Sequence, residues 1–117
     1  MNQEIKQMWI DALLSGEYQQ GKDVLHNLKD NTFCCLGVLC DIAVKNKKLS
    51  IVEESELYTY YGCDNEKTEL ELPVCVMEWA EISDSAGKYK EGNLSLAELN
   101  DRGRSFKYIV NVIKKYF

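Results

Sequence analysis

Apolar residues recur at helical spacing at both ends of the chain. Near the start they follow one another at intervals of three and four positions, which predicts an amphipathic helix. Its apolar positions are Ile5, Met8, Trp9, Ala12 and Leu13. The last segment, which begins after Ser105, has the same spacing and predicts a final helix. Its apolar positions are Phe106, Ile109, Val110 and Ile113. Just before it, Ser95 and Glu98 have the spacing of a capping box, and Arg102-Gly103 predicts where that shorter helix ends.

The middle of the chain changes character twice. Residues 33–44 form the most apolar segment and are followed by lysines, which favour a helix C-terminus, so they predict a central helix. A buried strand is the competing interpretation, because periodicity cannot separate the two in so apolar a run. Residues 57–61 and 68–72 are β-prone and flank a turn, which predicts a hairpin. Residues 17–32 are predicted to be mostly loop, and Pro73 suits the first turn of a short helix.

The order of these elements predicts an α+β fold in a single domain over residues 1–117. It is expected to be mainly helical, with a small antiparallel β-hairpin and a C-terminal helix-turn-helix-like pair. A length of 117 residues suits one domain, and 45% hydrophobic with 28% charged residues is typical of a folded globular protein.

Membrane and metal signals are missing from the sequence. No apolar run approaches the length of a membrane-spanning helix, and the first residues are polar and acidic where a signal peptide would be basic and then apolar. We therefore expect a cytoplasmic protein without membrane contact. The five cysteines are an odd number, and Cys34, Cys35 and Cys40 fall in the apolar segment, which predicts reduced, mostly buried thiols. Their spacing lacks the paired Cys-x2-Cys of a structural zinc site, so no metal and no other cofactor is predicted.

Charge is distributed unevenly along the chain, whose net charge is −5. Residues 1–87 carry seven lysines and sixteen acidic residues, a net charge of −9, whereas residues 88–117 carry seven basic and three acidic residues, a net charge of +4. An anion site is therefore expected near the C-terminal end. Arg102 and Arg104 lie there in a glycine-containing turn, and the planar guanidinium group matches the geometry of a phosphate.

Two polar segments without an evident packing role supply what a nucleotide site needs. Tyr18 can stack on a base, and the amides of Gln20 and Asn100 can read its edge. Cationic side chains in the same segments can neutralise phosphate. The predicted ligand-binding residues are Tyr18, Gln20, Lys22, Asn100, Asp101, Arg102 and Arg104. The structural alternative is that Asn100 and Asp101 only terminate a helix and that Gln20 caps a loop.

Catalytic signatures are missing as well. The sequence contains no Walker A motif, no G-x-G-x-x-G and no H-x-E. His26 is the only histidine, and no serine or cysteine beside it in sequence suggests a nucleophile and base pair, so an exposed loop histidine is expected. The sequence therefore predicts a protein that is not an enzyme.

Four landmarks along the chain form a recognisable pattern. After the first helix comes Ser15-Gly16-Glu17-Tyr18-Gln19-Gln20-Gly21, and the most specific landmark is Phe33-Cys34-Cys35-Leu36-Gly37-Val38-Leu39-Cys40-Asp41. The other two are Leu72-Pro73 with Glu78-Trp79, and Leu96-Ala97-Glu98-Leu99-Asn100-Asp101 with Ser105-Phe106. With these landmarks, nearly the whole chain resembles a family of small tailed-phage proteins of unassigned role. The resemblance implies a phage origin and a compact module, and it brings no catalytic residues with it.

The resemblance also orders the function hypotheses, because phages use many small proteins to disarm host defences. The first hypothesis is a non-enzymatic counter-defence protein in the cytoplasm of the infected host cell. It would bind and sequester a cyclic or ADP-ribose-derived nucleotide immune signal. Since 117 residues leave little room for a deep cavity, we expect a homo-oligomer that completes the pocket at a subunit interface.

Two other function classes stay open. The alternative is an inhibitor that binds a host protein, for example as a DNA mimic, through an aromatic and acidic surface. The residues of that surface are Tyr58, Tyr60, Tyr61, Glu53, Glu54 and Glu56. The third is a small helix-turn-helix regulator of duplex DNA. Binding to nucleic acid is disfavoured because the last helix offers few base-reading side chains beyond Lys107, Asn111 and Lys114, and the rest of the chain is acidic.

Overall fold

Five helices and five short strands follow one another along the chain in a computed structural model, which describes all 117 residues. The helices are α1 (Gln3–Leu14), α2 (Cys35–Lys45), α3 (Val74–Ala80), α4 (Leu96–Asp101) and α5 (Phe106–Tyr116). The strands are β1 (His26–Asn27), β2 (Thr32–Phe33), β3 (Ile51–Glu54), β4 (Thr59–Cys63) and β5 (Glu66–Thr68). The predicted α+β class is confirmed, with one small sheet more than expected.

The apolar segment forms the central helix α2, so the competing prediction of a buried strand is wrong. Its 11 residues include eight buried ones, and the Cys34 side chain caps it by accepting from the Gly37 backbone N–H (3.4 Å). Gly37 faces the backbone carbonyl of Leu25, and a Cβ at this position would clash with that oxygen. The glycine therefore allows the backbone just before β1 to lie directly on α2.

Helix α1 packs against both α2 and α5, and α4 also contacts both of these helices. Trp9 is fully buried, and its indole N–H donates to the backbone carbonyl of Cys35 (2.9 Å). Both predicted caps near the C-terminus are confirmed. The Ser95 hydroxyl accepts from the Glu98 N–H (3.2 Å) in a complete capping box, and the Ser105 hydroxyl accepts from the Tyr108 N–H (3.2 Å).

The larger sheet has the order β3-β4-β5 and is antiparallel throughout. It confirms the predicted hairpin and adds β3 as a third strand. Tyr61 is buried at its centre, opposite Val52 on one side and Thr68 on the other. The predicted strand over 68–72 is wrong after Thr68, because the Thr68 hydroxyl accepts from the backbone N–H groups of Leu70 (3.2 Å) and Glu71 (3.3 Å) and turns the chain.

The cysteine prediction is wrong for two of the five residues. Cys63 at the end of β4 and Cys75 in α3 form a disulfide with a Cα–Cα distance of 6.2 Å. Eleven residues separate them in sequence, and these include the β4–β5 turn and β5, which leads away from Cys63 along β4. Cys34, Cys35 and Cys40 are free and buried as expected. Burial raises the pKa of the Cys34 thiol from 9.0 to about 11.

The segment predicted to be mostly loop contains the second sheet, in which β1 and β2 pair antiparallel. Here the expectation of an exposed His26 is wrong. Its ring stacks on Phe33 with the ring centroids 3.9 Å apart, and its two nitrogens lie 2.9 Å from the side-chain oxygens of Thr59 and Asn31. The histidine therefore joins β1 to β2 and to the larger sheet. None of the five helices combines the length and apolar character that crossing a bilayer requires.

Candidate functional site

The two polar segments singled out in the sequence meet in space. The side-chain N–H2 of Gln20 donates to the Asn100 side-chain oxygen (2.9 Å) and to the Arg104 backbone carbonyl (2.7 Å). The Gln20 side-chain oxygen accepts from the Phe106 backbone N–H (3.2 Å), at the first turn of α5. These contacts join residues about eighty positions apart, and they use the whole Gln20 amide.

Asn100 is the centre of this network and is fully buried. Its side-chain oxygen also accepts from the Cys35 backbone N–H (3.1 Å), at the start of α2. Its side-chain N–H2 donates to the backbone carbonyl of Gly21 (2.8 Å). Both amides therefore face inward and hold the loop, α2 and the α4–α5 turn together, in keeping with the structural alternative for Gln20 and Asn100. We call these contacts of Gln20 and Asn100 the amide network.

Tyr18 is turned towards α2. Its ring meets Phe33 edge to face, with the centroids 5.1 Å apart. Its hydroxyl donates to the Asp41 carboxylate and accepts from the Lys45 ammonium (3.1 Å), which in turn lies 3.3 Å from Asp41. Burial and the hydrogen bond to Asp41 raise the pKa of Tyr18. The tyrosine makes no contact of this kind with the α4–α5 turn, so the structure does not bring it together with the predicted phosphate ligands.

Three predicted cations remain on the surface: Lys22, Arg102 and Arg104, which we call the basic turn. The Lys22 ammonium lies beside Gly103, between the two arginines, and the Arg104 guanidinium lies over the Tyr108 ring at 4.7 Å from its centroid. The structure contains two ion pairs, Lys45–Asp41 and Lys67–Glu53, and neither involves these cations. They are therefore available to an anion.

Asp101, the seventh predicted residue, is exposed and accepts from the backbone N–H of Asp23 (2.9 Å). It fastens the loop beside the basic turn and adds a negative charge there. The segment from Gly16 to Lys22 has the G-x4-G-K spacing of a phosphate-binding P-loop, but Asp23 stands where that motif has Ser or Thr. It also lies between a helix and a strand, the reverse of the P-loop order. This loop therefore lacks the backbone cradle of a P-loop.

The largest concavities lie elsewhere, on the two sides of the disulfide. One cleft of about 710 Å3 has Leu72, Pro73 and Met77 on its apolar side, and another of about 740 Å3 is lined by Lys47 and Lys48. Both reach Cys63, and none of the clefts of the molecule is lined by a residue of the basic turn. Sequence reasoning missed these clefts because their walls come from segments that are far apart in the sequence, and local patterns do not show which segments meet.

The most exposed secondary-structure element is the edge strand β3 with the turn that follows it. Five exposed residues define what we call the acidic edge: Val52, Glu53, Glu54, Glu56 and Leu57. Val52 and Leu57 are 46% and 50% exposed, although they are apolar. Of the aromatic residues predicted for this surface, Tyr61 is buried, and Tyr58 and Tyr60 are half-buried. The exposed surface is therefore acidic and aliphatic rather than aromatic.

One glutamate of the acidic edge is neutralised and two are not. The Glu53 carboxylate lies 2.6 Å from the Lys67 ammonium, which also lies 5.3 Å from the centroid of the Tyr60 ring. Glu54 and Glu56 have no ion pair. The edge therefore presents two free carboxylates next to exposed aliphatic side chains.

Comparison with known proteins places the chain in a family without assigning it an activity. No curated protein and no solved structure matches the chain. Among protein families, residues 1–117 match a domain of unknown function, DUF8296. Because the match spans the whole chain, the protein belongs to the DUF8296 family.

Proposed function

We propose that the protein is a non-enzymatic counter-defence protein that inhibits a host protein by binding it through the acidic edge. The observation that carries this proposal is an exposed strand whose free carboxylates lie beside exposed aliphatic side chains, because such a surface offers apolar contact and attracts a partner of opposite charge. The counter-defence setting comes from the resemblance to small phage proteins, and the acidic edge supplies the binding chemistry.

The test is affinity capture from lysate of the infected host, using three forms of the full chain. Wild type is expected to retain a host protein that the variant Glu53→Gln/Glu54→Gln/Glu56→Gln loses. The matched control Arg102→Ala/Arg104→Ala changes charge at the basic turn and is expected to retain it. A capture that survives the glutamate substitutions, or one that depends on the arginines, would contradict the proposal.

A second candidate function is sequestration of a nucleotide signal, and the basic turn favours it. Lys22, Arg102 and Arg104 are exposed, adjacent and without acidic partners, so they suit a phosphate group. The amides predicted to read the base are occupied by the amide network. Tight sequestration would therefore require a second subunit to supply the walls of the pocket.

This candidate is tested by thermal unfolding against a panel of cyclic di- and trinucleotides, cyclic ADP-ribose isomers and duplex DNA. A ligand that binds only the folded state raises the midpoint of unfolding by mass action. Sequestration predicts a shift with one nucleotide that is lost in Arg102→Ala/Arg104→Ala. A shift with duplex DNA that falls steeply with salt would instead indicate the helix-turn-helix function.

A further inference from the structure

We infer that the acidic edge binds a cationic, extended segment of the partner, which adds to β3 as a fourth strand of the larger sheet. This inference rests on the proposed function and specifies the partner. Three observations carry it: the open backbone of β3, the chemistry of the side chains beside that backbone, and the poor fit of a second copy of the chain.

The backbone of β3 is open on one side. β3 pairs with β4 alone, and the Ser55 N–H donates to the Tyr58 carbonyl (2.9 Å) at the end of this pairing. In an antiparallel ladder, alternate residues bond to the neighbouring strand. Glu53 and Ile51 therefore bond to β4, whereas Val52 and Glu54 turn their N–H and carbonyl groups to the open side. These groups have the spacing that an added strand requires.

The side chains along the open side define what the added strand carries. Glu54 and Glu56 are exposed and without ion pairs, so they favour lysine or arginine in the partner. Val52, on β3, offers exposed aliphatic surface to a side chain of the added strand, and Leu57, in the turn that follows, extends that surface past the end of β3. Charged residues on an edge strand often serve only to prevent aggregation. An edge with that purpose alone does not account for two large apolar side chains kept half exposed beside the charges.

A second copy of the chain is a poor occupant. In antiparallel self-pairing centred on Glu53 or Glu54, identical carboxylates lie opposite each other, which is destabilising. The three glutamates within four positions therefore oppose edge-to-edge dimers in these registers and favour a strand of opposite charge. A cationic segment satisfies the same backbone groups without that repulsion.

The experiment uses the full chain and a short, amidated, fluorescent peptide of alternating lysine and valine as the probe. Fluorescence anisotropy measures binding, and ¹⁵N NMR follows the amides of Val52 and Glu54. The matched control peptide is methylated on the backbone nitrogens of one edge, which removes its strand-forming donors and keeps its charge. Strand addition predicts saturable binding, shifts of both amides, and a loss of about tenfold or more with the methylated peptide.

Two substitutions test the same point on the protein. Val52→Pro removes the outward N–H without removing a ladder bond to β4, and we expect it to weaken peptide binding about as much as peptide methylation does. Val52→Thr keeps that N–H and is expected to bind within about threefold of wild type. Thermal unfolding checks that both variants fold. If Val52→Pro does not fold, the comparison of the two peptides on wild type still tests strand addition.

Equal binding of the two peptides, or no saturable binding, would overturn strand addition. Edge-to-edge dimers of the free chain, detected by light scattering, would also overturn it. The two proposals fail separately. Host-protein capture that depends on the glutamates but survives Val52→Pro would keep the proposed function and reject the added strand. Peptide binding without capture of a host protein would do the reverse.

Discussion

The acidic edge and the basic turn are both polar surface segments, but they use their polar side chains differently. Beside the basic turn, Gln20 and Asn100 use their side-chain amides in hydrogen bonds that hold the loop after α1, α2 and the α4–α5 turn together, and only the cations face solvent. At the acidic edge, Glu54 and Glu56 face solvent and hold nothing together. Polar residues gathered in one place therefore indicate a binding site only when the fold does not need them.

The difference follows from how each region is fastened to the body of the protein. The larger sheet is held by buried side chains of β4, such as Tyr61, and by the Cys63–Cys75 disulfide to α3. The exposed side chains of β3 are therefore not needed to hold the larger sheet in place. The residues of the basic turn lie on the loop after α1 and on the α4–α5 turn, and the hydrogen bonds of the amide network are the main link between these two segments.

The largest expected effect is on the amide network, in Asn100→Ala. The substitution leaves the Cys35 N–H and the Gly21 carbonyl without partners, so we expect the free energy of unfolding to fall by about 3 to 4 kcal/mol. Urea unfolding followed by circular dichroism measures the change. Asp101→Ala, which removes the exposed bond from the Asp23 N–H and a long one (3.5 Å) from the Asn100 side-chain N–H2, is the control and should cost about 1 kcal/mol. If Asn100→Ala lowers the free energy of unfolding no more than Asp101→Ala does, the amide network does not hold the fold together and does not differ in this respect from the acidic edge.

The next effect is on the fastening of the larger sheet. Replacing both disulfide cysteines, as Cys63→Ser/Cys75→Ser, releases a short loop, and we expect unfolding to become easier by about 3 kcal/mol. A reductant should lower the stability of wild type by a similar amount and leave the double variant unchanged. Urea unfolding with and without the reductant decides this. Equal stability in both conditions would mean that buried side chains alone hold the sheet.

Alkaline pH should lower the free energy of unfolding through the buried free thiols. The folded pKa of Cys34 is raised above the unfolded value of 9.0 to about 11, so its stabilising contribution is present below pH 9 and is lost as the pH rises towards 11. We expect a loss of about 2 to 3 kcal/mol over this range, since each pKa unit corresponds to about 1.4 kcal/mol. Burial also raises the pKa of Cys35 and Cys40 and adds to the loss.

The variant Cys34→Ala separates this contribution from the others. Its stability at pH 8 is lower than that of wild type because the cap of α2 is gone, but its further fall towards pH 11 should be shallower. Urea unfolding at a series of pH values measures both slopes. Parallel slopes for the two proteins would show that the Cys34 thiol does not titrate in this range.

The smallest effects are expected at the cations of the basic turn. Arg102→Ala removes an exposed side chain without an ion pair and should change the free energy of unfolding by less than about 0.5 kcal/mol. Arg104→Ala also loses the contact with the Tyr108 ring and should cost about 0.5 to 1 kcal/mol. Thermal unfolding compares the two. A large fall in the free energy of unfolding for Arg102→Ala would show that the cations of the basic turn also stabilise the fold.

Most of the fold could be predicted because it follows from local patterns. The spacing of apolar residues in α1 and α5 and the caps at Ser95 and Ser105 are properties of neighbouring residues. The disulfide and the strand β3 are not. The disulfide depends on how the chain between Cys63 and Cys75 folds, and the aliphatic and acidic residues of β3 do not alternate in a way that predicts a strand.

The candidate site was predictable in position more than in role. Residue types and net charge indicated that the loop after α1 and the turn after α4 carry polar groups, and these segments do meet. The direction of each amide could not be predicted, because Asn100 bonds to the start of α2, some sixty-five residues away. The exposure of Val52 and Leu57 likewise depends on β3 lying at the edge of the sheet.

The packing of α1 on α5 has a consequence for how the protein is made. Trp9 is buried and meets the ring of Phe117, and the Lys6 ammonium donates to the Lys114 carbonyl (3.4 Å), so the side of α1 that faces α5 finds its partners more than a hundred residues later. A ribosome releases α1 long before α5 exists. Helix α2 can cover part of α1 early, but the side of α1 that faces α5 stays uncovered during most of translation, and the core closes only after synthesis of α5.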